Sequence, residues 1–184
     1  MSVTEEFKEF FDGYIEAALW STNDDSDESG GEPLDANYTV DDFDEESLDC
    51  LRFKAGLFFN LYYYAIQKGP NRKTGSWSVF EQGGHDFWLT QNGHGAGFWD
   101  GDWDEPDATL LTEGSKKMGE VSLYVGDDGK IYADCQRQDV PKYRNKPPAE
   151  RSEGDRLFDF FFKKKPGLSG LLYLPSWRPK RGQR

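Results

Sequence analysis

The chain has 184 residues, enough for one domain with extensions, and a formal net charge of −12. Hydrophobic residues make up only 36%, but aromatics reach 16%, and large rings bury enough area to build a core that a disordered acidic chain lacks. No apolar run is long enough for a transmembrane helix, and "MSVTEEFKEFF" carries neither the basic nor the apolar region of a secretory signal.

Ser2 and Glu5 have the spacing of a capping box, in which each side chain satisfies the other's backbone N–H. Phe7, Phe10, Phe11, Tyr14, Ala18 and Leu19 then recur at helical spacing, which predicts an amphipathic helix over residues 3–20. "STNDDSDESGGEPLDANYTVDDFDEES" reads as a long loop, either mobile or functional. A second helix is expected over 45–67, with Leu48, Leu51, Ala55, Phe58, Leu61, Tyr62 and Ala65 on one face and Gly69-Pro70 ending it.

"NRKTGSWSVFEQGG" reads as an irregular linker, and the pattern then changes. "HDFWLT" is aromatic and β-branched enough for a strand, "QNGHG" holds the Asn-Gly of a tight hairpin turn, and "AGFWD" reads as the returning strand. "DATLLTEGSKKMG" suggests a short helix capped by Asp107 and stopped by Gly119. "EVSLYVGDDGKIYAD" alternates like a second hairpin, with an Asp128-Gly129 turn.

The expected fold is therefore α+β. Two N-terminal helices pack on a small antiparallel sheet of two hairpins joined by a short helix, with a basic C-terminal extension. Residues 1–134 would form the acidic domain, 135–155 a polar linker and 156–184 a basic-aromatic tail. Cys50 and Cys135, two isolated thiols, are expected to be reduced, which points to the cytoplasm.

Charge is strongly polarised. Residues 9–51 hold fifteen acidic side chains and no Lys or Arg, whereas residues 137–184 carry a net +8. One reading is a solvated face. The sharper one is a binding surface of Asp24, Asp25, Asp27, Glu28, Asp41, Asp42, Asp44 and Glu45 that presents carboxylates in place of nucleic-acid phosphates to a protein with a basic surface. In the tail, Lys163, Lys164, Lys165, Arg178, Lys180 and Arg181 are placed among aromatic residues to meet nucleic acid or an assembly partner, or to dock on the acidic body.

The stretch "HDFWLTQNGHGAGFWDGDW" holds both histidines. A metal-dependent enzyme centred on residues 85–104 would draw on His85, Asp86, His94, Asp100, Asp102 and Asp104. A hairpin here would set His85 at the open end and His94 in the turn, too far apart to share an ion. The aspartates at 100, 102 and 104 match the start of a calcium loop, but Glu105 and Leu111 stand where that loop needs Gly and Glu. No Walker motif or nucleophile pairing is present, so no catalytic residue and no cofactor is assigned. The scaffold reading assigns the glycines and Asn92 to turn geometry and the aromatics to packing. It leaves an exposed Trp88 and a tip residue, His94, as recognition candidates.

Three separated motifs, "GEPLDANY" (31–38, preceded by "ALW"), "GHDFWLTQNGHGAGFWD" (84–100) and "LYVGDDGKIY" (123–132), resemble small acidic proteins encoded by tailed bacteriophages and related mobile elements. The resemblance covers residues 10–134. It implies a phage setting and one compact domain, with no activity or catalytic residue to carry over. Gln91 stands where such proteins often have Arg, and the basic extension goes beyond where they often end.

Overall fold

The computed structural model describes residues 2–26, 31–71 and 76–135. Among them it has four α-helices, α1 (Val3–Ser21), α2 (Glu45–Lys68), α3 (Val79–Gln91) and α4 (Asp107–Lys117), and one antiparallel pair of strands, β1 (Ser122–Val125) and β2 (Ile131–Asp134). The α+β class holds, and the balance is more helical than the sequence suggests.

Helix α1 forms as expected. Ser2 Oγ accepts the Glu5 N–H at 3.4 Å and Glu5 accepts the Ser2 N–H at 2.8 Å, which closes the capping box. Helix α2 is capped by Asp44, whose carboxylate accepts the Ser47 N–H at 3.0 Å. The α2 face bearing Phe58 and Phe59 meets Phe10 of α1 and Phe87 of α3, and the Phe58 and Phe87 rings stack at 3.9 Å. Phe10, Tyr14, Leu51, Phe58, Phe87, Phe98, Leu111 and Ile131 are all fully buried in one continuous core.

The second predicted hairpin is present, paired Ser122↔Asp134 to Val125↔Ile131. Its turn is one residue longer than the expected Asp128-Gly129 pair. Gly126 accepts the Gly129 N–H at 2.9 Å, so Asp127 and Asp128 are the turn's centre, and Gly129 sits next at φ +76°. Asp107 is the first helical residue of α4 rather than its cap, which is Pro106, joined through a cis Glu105–Pro106 bond. Gly119 does lie just past the helix end.

The first predicted hairpin does not exist. Residues 79–91 are helix α3, and the sequence signals at both of its ends are helix caps. Ser78 and Glu81 form a capping box. At the other end the His94 N–H reaches the Leu89 carbonyl at 2.9 Å and the Gly93 N–H reaches that of Thr90 at 3.4 Å, with Gly93 at φ +69°. That is the Schellman pattern, so Asn92-Gly93 closes a helix instead of turning a hairpin. Asn92 also ties this cap to the entry of β1, since its side chain accepts the Val121 N–H at 2.8 Å.

The acidic loop is largely shaped by its apolar residues. Leu34, Val40 and Phe43 are buried and close two 3-10 turns, Leu34–Ala36 and Val40–Asp42. Phe43 bridges Ile131, and the Asp44 N–H bonds the Ile131 carbonyl at 2.9 Å. This docking brings the end of β2 onto the first turns of α2, where Cys50 and Cys135 form a disulfide with Cα atoms 6.2 Å apart. The expectation of two reduced thiols is corrected: their separation of 85 residues hid a proximity made by tertiary packing. Cysteine usage therefore no longer argues for a reducing compartment. No helix among the described residues is long and apolar enough to cross a membrane.

Candidate functional site

Two regions carry chemistry. The first lies where α1 crosses α3. His85 is in the middle of α3, and its Nδ1 lies 3.2 Å from Asp86 Oδ1. Asp86 is 4% exposed, and it also accepts the Gln82 amide at 2.9 Å and the Trp103 indole N–H at 2.7 Å. A buried carboxylate persists when donors fill its lone pairs, as they do here. On the other side of the imidazole, Trp20 of α1 donates its indole N–H to His85 Nε2 at 3.3 Å, and the Trp77 ring lies 4.8 Å away. Glu16 sits near this cluster. Burial first, and then the charge of Glu81, push its carboxyl above the ordinary range; Asp35 and Asp12 add to this, and His85 pulls the other way.

Trp88 is not an exposed recognition residue. It is 1% exposed, and its indole N–H is spent on Ser21 Oγ at 2.9 Å. The helical period turns it inward against Tyr14. Tyr14 is itself buried, which raises its phenol well above the ordinary range, and it donates to Gln91, whose amide reaches the Gly119 carbonyl at 2.7 Å.

The metal alternative loses its hairpin. His85 and Asp86 belong to α3, while His94 lies past the helix end with its backbone bound to Leu89. Asp100 accepts the backbone N–H groups of Gly97 and Asp102, each at 3.3 Å, and Asp104 accepts the side chain of Asn71. Among the described residues no group of three or more His, Cys, Asp or Glu side chains is arranged to hold a metal ion.

The second region is the acidic face. Asp24 accepts the Ser26 N–H at 3.0 Å, and Asp42 accepts the Thr39 N–H at 2.7 Å within a capping box. Both act on Tyr38, whose phenol is raised by burial first and then by Asp24 and Asp42. Asp44 is the cap of α2. Asp25, Asp41, Glu45 and Glu46 are exposed. Asp27 and Glu28 lie outside the described residues, as do Lys163, Lys164, Lys165, Arg178, Lys180 and Arg181 of the tail.

Sequence reasoning missed Trp20, Trp77 and Glu16. Trp20 lies 65 positions from His85, and no local pattern links them. The available signal was the Ser78–Glu81 capping box, which places His85 on a helix. Comparisons with protein-family models, curated proteins and solved structures match none of them to this chain.

Proposed function

We propose that this protein acts by binding rather than catalysis, and that its acidic face takes the basic surface of a partner protein in the place of nucleic acid. The observation that carries this reading is the fixed placement of the loop carboxylates. Asp24 and Asp42 are held about Tyr38, Asp35 acts on Glu16, and Asp44 caps α2, with Asp25, Asp41, Glu45 and Glu46 exposed alongside. The ion pairs among the described residues include Lys8–Asp12, Arg52–Asp49 and Lys68–Asp107, and none of these engages Asp24, Asp25, Asp41, Asp42, Asp44, Glu45 or Glu46.

Carboxylates on an anchored scaffold lose less freedom on binding than those of a floppy loop, and their summed field steers a basic partner. Grooves that hold nucleic-acid backbone belong to nucleases, restriction proteins and glycosylases, and a phage setting would make counter-defence the role served. Such a binder needs no active site.

The test is retention of a basic host protein on the immobilised full chain at low salt. Retention should fall with added salt and with added duplex DNA. A variant carrying Asp25→Asn, Asp41→Asn, Glu45→Gln and Glu46→Gln should lose most of it while keeping the wild-type circular dichroism spectrum. Equal retention by that variant would overturn the reading.

A further inference from the structure

We propose that His85 is a proton-operated latch on Trp20: the neutral imidazole holds the indole against α3, and protonation releases it.

Hydrogen-bond roles set the direction of the switch. An indole N–H only donates, so His85 Nε2, 3.3 Å from Trp20 Nε1, must be the acceptor. In a neutral ring the proton is then on Nδ1, where Asp86 Oδ1 lies 3.2 Å away to receive it. The geometry thus fixes one tautomer. A second proton would go to Nε2, and two N–H donors would then face each other, so the bond to Trp20 is lost.

Burial decides which partner moves. The His85 side chain is 14% exposed, and its anchor Asp86 is held in turn by Gln82 and Trp103. Trp20 is 42% exposed, near the C-terminal end of α1. The indole therefore yields, and the imidazolium stays.

The charged groups around the cluster are acidic. Asp86 of α3 contacts the ring directly, and Glu16 of α1 acts on it across the helix interface. Glu81 of α3, Asp35 of the first 3-10 turn and Asp12 of α1 bear on Glu16 and are all acidic. The Trp77 ring lies 4.8 Å from the imidazole, tilted 59° to it. Acidification would thus release the indole and add one positive charge where α1 crosses α3. The latch is built from the α1–α3 geometry and does not depend on any partner.

The test uses the free full-length protein with 5-fluorotryptophan, followed by fluorine NMR from about pH 8 to about pH 5, with the imidazole signals read in parallel. Trp20→Phe identifies the Trp20 resonance. That resonance should shift along one titration coinciding with that of His85. It should stay flat in His85→Gln, whose amide oxygen accepts the indole N–H at every pH. By reciprocity, Trp20→Phe should raise the His85 midpoint, because the opposing donor is gone. This second readout stands even if His85→Gln fails to fold. A Trp20 signal that ignores the His85 titration, or a His85 midpoint unmoved by Trp20→Phe, would overturn the proposal.

Discussion

Gly84 of α3 lies directly against the backbone of Phe10 in α1: a Cβ on Gly84 would stand 2.7 Å from the Phe10 carbonyl carbon and 2.9 Å from the Tyr14 nitrogen. Gly13 repeats the relationship from the other helix, where a Cβ would stand 2.8 Å from the Glu81 carbonyl carbon. The two helices thus meet backbone to backbone, and this approach lets Trp20 of one reach His85 of the other. Backbone cannot step aside as a side chain can. Gly84→Ala and Gly13→Ala should each cost about 3 kcal/mol or more in denaturant unfolding. Gly95→Ala, at a position with no atom within 4 Å, should lie within about 0.5 kcal/mol of wild type.

The same glycines explain what the sequence conceals. Helices α1 and α2 are legible because apolar spacing and caps agree, joined in α2 by a terminal glycine. In α3 the Gly83-Gly84 pair looks like a helix breaker and Asn92-Gly93 like a hairpin turn, although a capping box at Ser78–Glu81 announces a helix. Local propensity loses to the packing that Gly83 and Gly84 permit. The second hairpin is legible because its alternation and turn agree. Asp100 ties the N–H groups of its own loop, whereas Asp86 binds a distant indole. The Trp20–His85 pair and the Cys50–Cys135 bond join residues 65 and 85 positions apart, so only tertiary structure shows them.

Asp86 is the anchor of the His85 cluster. Asp86→Ala would strand the Trp103 indole N–H and the Gln82 amide in the core, and it should cost about 3 kcal/mol. Asp86→Asn keeps one acceptor oxygen and should cost less. Thermal unfolding of both variants, with near-ultraviolet circular dichroism for Trp103, checks the order. Equal losses would mean that size rather than hydrogen bonding matters there.

The disulfide ties β2 to α2 across 85 residues of chain. Cross-links of this kind stabilise by roughly 2–4 kcal/mol, chiefly by limiting the unfolded chain. A Cys50→Ser, Cys135→Ser double variant should lose stability on that scale, and the wild type in reductant should match it. Mass spectrometry after alkylation without reductant should find no free thiol at either position.

Glu16 gives a pH signature of known sign. Burial and the Glu81 charge raise its folded-state pKa, so folding favours the protonated carboxyl. For an acid with a raised folded value, this preference contributes stability below the unfolded pKa and is lost as pH rises through the folded one. At neutral pH the ionised Glu16 is therefore a small liability, discounted by the solvent that reaches it. Glu16→Gln should stabilise the protein by up to about 0.5 kcal/mol at neutral pH. The gain should vanish once the pH falls below the ordinary glutamate range, where both forms are neutral. Denaturant midpoints for the two proteins, measured from neutral to acidic pH, should converge as the pH falls. A loss of stability in Glu16→Gln at neutral pH would mean that Glu16 is held by a favourable partner rather than crowded by like charges.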